Sequence, residues 1–436
     1  MHGGAARAAY WLHTGLNAMA SRPGDSDPVH SAMLVASRQT QDEAVLQYRA
    51  GGSLPHRVAR RVRRWRLYLE LSNALRGRSD GYESFSTDCS AHGDRLAEAL
   101  PPCDVVNLHW VSGLLDYERF LPAVCAKIPV VWTLHDMNPL TGGCHYDDDC
   151  GRHFRGCGMC PQLCLPGPTD LSAKVWQRKK RIFDALPADR LTIVSPSRWL
   201  AEQARSSPLL SRFETLVIPC GLDLSVFAPL GRDLCRAALG IPMDRKVLLF
   251  VAQSTAIRRK GFALLRDLLR QMPNDRVFLL SVGAGDARIN ADIPSLALGS
   301  VENDRLLALA YGAADLFVIP SLQDNLPNTV VEAMACGTPV AGFAVGGVPE
   351  LVRPGETGAL ARRGDVAALA SVIHQLLDDE PTRQAISRNC RRIALQEYSQ
   401  PIQAARYATL YTRLCANTSS ARKANSPSIM PAAGAA

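Results

Sequence analysis

Short runs of Val, Ile and Leu alternate with longer helical patterns along almost the whole chain, and this alternation limits the possible folds most. The runs are "AMLVAS" (32–37), "DVVNLH" (104–109), "PVVWTLH" (129–135), "LTIVSP" (191–196), "ETLVIP" (214–219), "KVLLFVA" (246–252), "RVFLLSVG" (276–283), "LFVIPS" (316–321) and "TPVAGF" (338–343). None alternates cleanly between apolar and polar residues. Strands buried on both faces read this way, and they belong to parallel sheets covered by helices. The series pauses at "PCGLDLSVFAPLGRD" (219–233), which carries Pro and Gly but no clear element. A chain of 436 residues is too long for one core. The pattern predicts an α/β protein of two doubly wound, Rossmann-like domains, residues 1–218 and 231–416, joined by a linker at 219–230. The tail 417–436 is small, polar and Pro-bearing, and reads as disordered. Two such sheets would hold a ligand in the cleft between their strands' carboxyl ends.

The stretch "SLQDNLPNTVVEAMACGTPV" (321–340) follows a strand and holds two acids, Asp324 and Glu332. Pro327 suits the first turn of a helix, where its missing N–H costs nothing. The N–H groups of Asn328 and Thr329 would then point out of a helix start, a site for an anion such as a diphosphate. Glu332, one turn further in, can accept two hydrogen bonds from a ribose cis-diol. Asp324 can do the same for sugar hydroxyls. A capped surface helix with incidental acids is the plainer alternative. "AIRRKGFALL" (256–265) also follows a strand and offers Arg258, Arg259 and Lys260 before a glycine and an apolar helix. Charge-assisted bonds from such cations to phosphate contribute about 1.5–3 kcal/mol each.

Taken in order, "GGAARAA" (3–9), "TLHD" (133–136), "SPSRWLAE" (195–202), "CGLDLSVFAP" (220–229), "RKGF" (259–262), "AADLFVIPS" (313–321) and the acid pair resemble the family 4 retaining glycosyltransferases of GT-B fold. "HW" (109–110) and "TLHDMNPLTGGCHY" (133–146) look most like members of exopolysaccharide and capsule assembly. The resemblance implies a UDP- or GDP-linked sugar donor, a saccharide or lipid-linked acceptor, and no cofactor for the chemistry. It places Lys260 with Arg258 or Arg259 on the diphosphate and Gly3 and Gly4 beside the phosphates. It puts Glu332 on the ribose, Asp324 on the donor sugar, and His135 across the cleft near the reacting sugar. It also implies that the last helix of the second domain crosses back to the first. A sugar-nucleotide epimerase of related architecture and a non-catalytic homologue are the other readings. An epimerase would turn over a nucleotide sugar without acceptor.

Three positions differ from the family pattern. Asp324 stands where Glu is usual, the usual arginine position falls at Ser254, and "HGG" follows Met1 directly where the family has a strand. The last difference leads to the expectation of an apolar stretch of about 5–8 residues upstream. An open slot in a doubly wound sheet would leave unpaired backbone groups.

Thirteen cysteines in a chain without a readable signal peptide point to a reducing cytoplasm. In the insertion 142–166, Cys157 and Cys160 form a C-x-x-C pair, and Cys144 and Cys150 could complete a tetrahedral thiolate set for structural zinc. Free or redox thiols and a disulfide remain the alternatives.

"HRVARRVRRWRLYLEL" (56–71) sets six arginines around Val58, Val62, Trp65 and Leu69 at helical spacing. A basic amphipathic helix suits an anionic membrane surface. The competing reading is a helix packed on its own domain. The net charge of +8 agrees with anionic partners. Nucleic acid is not expected, because no recognised binding fold or aromatic platform accompanies the charge. No apolar run has the roughly 18 residues of a membrane span. The expected location is therefore the cytoplasm, peripheral at the inner face of the plasma membrane.

Overall fold

The computed structural model describes residues 3–21, 28–93, 95–272, 276–285 and 293–424. All strand pairs are parallel, in three sheets. Strands β1 (Met33–Val35) and β2 (Val45–Gln47) form a pair. Strands β3 (Val106–Leu108), β4 (Val130–Thr133), β5 (Leu191–Ser195) and β6 (Glu214–Val217) form the N-terminal sheet in that order. The C-terminal sheet contains β7 (Lys246–Ser254), β8 (Val277–Ala284), β9 (Ser295–Ala297), β10 (Leu316–Ile319), β11 (Val340–Phe343) and β12 (Gly358–Ala361). Its order is β12-β11-β10-β7-β8-β9.

Each predicted apolar run holds a strand, and in the inner strands side chains on both faces are covered. β4, β5, β10 and β11 are buried along their whole length. Three strands were not predicted: β2, β9 and β12. Each lies at a sheet edge and spans only three or four residues. An edge strand needs no long apolar run, so its signal is weak.

Separate cores form around the two larger sheets, Trp132, Phe120 and Phe183 being among the side chains of one, Phe250, Phe317 and Phe343 of the other. A smaller cluster ties the chain's ends together. Leu12 and Leu16 of the first helix (Gly4–Ala20) and Tyr407, Leu410 and Leu414 of the C-terminal helix (Gln400–Ala424) pack beside Val131 and Val194 of the N-terminal sheet. The Tyr407 hydroxyl lies 2.9 Å from Thr133 Oγ1. The last helix therefore lies against the first domain. At Gly15 a Cβ would come within 2.7 Å of Gln400, so the two helices meet where one has no side chain. The chain passes between the larger sheets at 220–222 and returns at 398–400. These passages are bonded to each other, Leu222 N–H to Tyr398 O (2.9 Å) and Gln400 N–H to Leu222 O (3.0 Å).

One expectation needs correction. The sequence predicts a disordered tail from residue 417, but the C-terminal helix runs on to Ala424. "NTSSARKA" contains no Pro or Gly, and each residue added to a formed helix gains a hydrogen bond without a new nucleation cost. Residues 425–436 of that tail lie outside the described residues.

Candidate active site

The carboxyl end of β10 opens into the loop 320–327 and then the helix Asn328–Ala335, with Pro327 as N-cap. The carboxyl end of β7 leads to a short 3-10 turn, Arg258–Lys260. Backbone locks these two loops together. Leu322 N–H bonds to Arg259 O (2.7 Å), and Gly261 sits at φ +72° against the Pro320 carbonyl. Only glycine fits there, because a Cβ would stand 1.8 Å from Pro320 O.

This lock brings Lys260 Nζ to 2.6 Å from Asp324 Oδ2 and Arg259 Nη1 to 3.4 Å from Asp324 Oδ1. Asp324 is buried, which alone would raise its carboxyl pKa. Lys260 and Arg259 outweigh burial and hold it below the ordinary range. Burial lowers the Lys260 ammonium, Arg259 adds to that, and Asp324 opposes it. Of the two arginines, Arg259 lies beside the site, stacked on Tyr146 at 3.8 Å and donating to Gln323 O (3.1 Å). Arg258 turns outward to Asp148 and Tyr82.

Glu332 is 1% exposed. Burial raises its carboxyl, while Arg7 and a hydrogen bond from Tyr311 lower it. The Tyr311 hydroxyl donates to Oε2 (2.9 Å), and Arg7 Nη1 stands 3.2 Å from Oε1. Arg7 comes from the first helix. It also pairs with Asp304 at 2.7 Å and lies over Trp11 at 4.8 Å. That helix begins at Gly4 with Gly3 as N-cap at φ +87°, and the Asn328 side chain donates to Gly4 O (3.3 Å). Two helix starts, Gly4 and Asn328–Thr329, therefore meet beside Glu332. Their N–H groups and dipoles favour an anion between them.

His135 follows β4. Its Nε2 is 2.9 Å from His109 Nδ1, and burial pulls its pKa down to about 4 against a smaller opposing effect of Asp136. It is a neutral imidazole at neutral pH. Asn325, next to Asp324, donates to the His135 carbonyl (3.3 Å), so His135 and the acid loop are neighbours across the cleft. Gly3, Gly4, His135, Arg259, Lys260, Asp324, Asn328, Thr329 and Glu332 thus gather in one region, and Arg258 stands at its rim.

The insertion 142–166 spans the same cleft. Asp147 accepts from Gln323 Nε2 (2.8 Å), Asp148 pairs with Arg258, and Asp149 pairs with Arg363. His145 bonds to Asp136 (2.6 Å) and Ser86 (2.8 Å), away from the thiols. Cys144, Cys150, Cys157 and Cys160 line one cavity of about 20 Å³ with His153 and Asp147. Gly142 N–H donates to Cys157 Sγ (3.2 Å). Burial pushes the Cys157 thiol up to about 12 and that of Cys144 well above its ordinary value. Among the described residues, no three His, Cys, Asp or Glu side chains stand at metal-holding spacing. The expected zinc set shares a cavity but is not closed.

Arg7, His109, Tyr311, Glu83 and Asp147–Asp149 were missed by sequence reasoning. The readable signals were "GGAARAA" around Arg7, "HW" at His109, and the acidic run "DDD", whose charge complements "RRK".

Residues 245–379 match the family profile described as "Glycosyl transferases group 1". The chain is 32% identical over 296 residues to "D-inositol 3-phosphate glycosyltransferase 1" of Catenulispora acidiphila, which covers 63% of this chain and 64% of that one. The chain spans 49–64% of the length of curated relatives such as this one. Among solved structures, sucrose-phosphate synthase of Thermosynechococcus elongatus shares 25% identity at a TM-score of 0.54, covering 72% of this chain and 73% of that one. A glycosyltransferase of Rickettsia africae, 13% identical, shares the fold over 95% of this chain and 96% of its own, at a TM-score of 0.62.

Proposed function

We propose, from a C-terminal segment that matches glycosyl transferases of group 1, that this chain is a retaining glycosyltransferase moving a sugar from a nucleotide-sugar donor to a saccharide or lipid-linked acceptor. The observation that carries this reading is the meeting of Lys260, Glu332 and two helix starts, with the Lys260 turn and the Asn328 helix following the carboxyl ends of β7 and β10. Lys260 and the Asn328 helix start receive the donor diphosphate, Glu332 receives the ribose diol, and Asp324 and His135 flank the sugar. In the step itself the acceptor oxygen bonds to the anomeric carbon as the bond to the diphosphate breaks. The acceptor proton passes to the departing phosphate oxygen. Fixed positive charge stabilises that leaving group, so the chemistry uses no cofactor. The donor is UDP- or GDP-linked, and the setting is bacterial surface polysaccharide synthesis at the cytoplasmic side of the membrane.

Glu332→Gln tests this reading. An amide offers one acceptor oxygen where a carboxylate offers two, so affinity for the matching nucleoside diphosphate should fall by about 1–3 kcal/mol, roughly five- to 150-fold. The parent has a second signature. Burial places the Glu332 carboxyl above its ordinary value of 4.5, so donor binding weakens as pH falls through that raised value. The variant should lack this acid limb. Calorimetry showing unchanged affinity and an unchanged pH profile would remove Glu332 from the donor site.

The cysteine cavity is proposed as a structural zinc site that Cys144, Cys150, Cys157 and Cys160 would hold as thiolates, their protons being released to solvent. Purified protein should carry about one zinc per chain, and Cys157→Ser should lower both metal content and Tm. Protein that purifies without zinc, and whose Tm neither added zinc nor Cys157→Ser changes, would dismiss zinc.

A further inference from the structure

The helix Leu54–Ala74 buries none of its residues. Two arginines hold it to the body. Arg60 donates to Ala50 O (3.0 Å), and Arg63 donates to Ser90 O (2.9 Å) and pairs with Asp116. Leu71 and Ala74 pack beside the cluster around Phe85. The outer face carries Leu54, Val58, Val62, Trp65 and Tyr68, exposed by 72%, 55%, 42%, 61% and 67%. At 3.6 residues per turn these five fall within an arc of about 120°. Arg57, Arg61 and Arg64 border or enter that arc on one side and Arg66 stands on the other. Among the described residues, Arg63 alone of this helix's arginines forms an ion pair.

Apolar side chains scattered singly over a surface need no explanation, but a strip of five with two aromatics on one helix does. The charge selects the occupant. A second copy laid on this face would bring arginines against arginines, with Glu70 the sole acid of each helix to offset them. The core of a protein interface is poor in charge. An interfacial bilayer helix has this composition: aromatic and aliphatic groups inward, arginines at headgroup level. No described helix is long and apolar enough to cross a membrane, so this one would lie on its surface.

We propose that the outer face of Leu54–Ala74 docks the protein on an anionic lipid surface. Trp65 and Tyr68 enter the headgroup boundary, and Arg57, Arg61, Arg64 and Arg66 meet lipid phosphates. The chain beyond this helix runs directly to the site: Gly81 O accepts from Arg258 N–H (2.8 Å), and Glu83 accepts from Arg259 Nε (2.7 Å). Docking therefore brings the cleft close to the lipid, where a lipid-linked acceptor is found. That link to an acceptor rests on the glycosyltransferase reading; the docking itself does not.

Flotation of the full chain with vesicles tests it. The protein should float with phosphatidylcholine–phosphatidylglycerol vesicles and stay behind with phosphatidylcholine alone. Free inorganic phosphate should not compete. The triple change Arg57→Glu, Arg61→Glu, Arg64→Glu and the double change Trp65→Ser, Tyr68→Ser should each weaken binding about tenfold or more. Both should keep parental affinity for nucleoside diphosphate, which shows that they are folded. Equal binding to both vesicle types, no binding, or variants that bind like the parent would overturn the proposal. So would a parent that self-associates in sedimentation while the double variant does not, because a second copy then covers the face. No sugar enters the vesicle experiment, so its failure leaves the Glu332→Gln test intact.

Discussion

Lys260→Ala should lower kcat/KM for sugar transfer by about 10²–10³-fold, the usual effect of removing one fixed donor from a developing oxyanion. The ammonium is set for this role by the Gly261–Pro320 lock and by Asp324 at 2.6 Å. It meets charge on phosphate, so affinity for nucleoside diphosphate should fall far more than affinity for the nucleoside. pH gives a second check. Burial and Arg259 lower the Lys260 ammonium below its ordinary 10.5, so diphosphate affinity should begin to fall at a less alkaline pH than an exposed lysine would allow. Equal loss for nucleoside and nucleoside diphosphate would assign Lys260 to folding, through an unpaired Asp324.

The second large effect is on stability. Gly261→Ala should destabilise the C-terminal domain by about 3–5 kcal/mol. The new Cβ would overlap two backbone atoms, Pro320 O at 1.8 Å and Pro320 C at 2.7 Å, and neither can swing aside as a flexible side chain would. Gly364→Ala isolates the other contribution. Gly364 has nearly the same φ, +73°, but nothing within 4 Å of the built Cβ, so only the left-handed strain of about 1–2 kcal/mol remains. Denaturant titration of both variants separates the two effects. Equal midpoints would show that the 258–261 and 320–322 loops are not locked as described. Because the lock positions Lys260, Gly261→Ala should also weaken nucleoside diphosphate binding in whatever fraction remains folded.

The sequence alone determined the α/β architecture with its two larger parallel sheets, since strands buried on both faces must be continuously apolar, and "LFVIPS" or "KVLLFVA" has few other uses. It also determined the loop-then-helix at Asp324–Glu332 and the cationic turn at Arg258–Lys260, because Pro, Gly and charge placement act over a few residues. Tertiary structure decided the rest. It matched Arg7 to Glu332 and His109 to His135, and laid Asp147–Asp149 against Gln323, Arg258 and Arg363. It also turned Arg60 and Arg63 inward while leaving Trp65 and Tyr68 outside. Periodicity reports which residues are buried or share a helix face, but not which distant segment covers them. A buried charge such as Glu332 acquires its partner only when the domains close and water leaves.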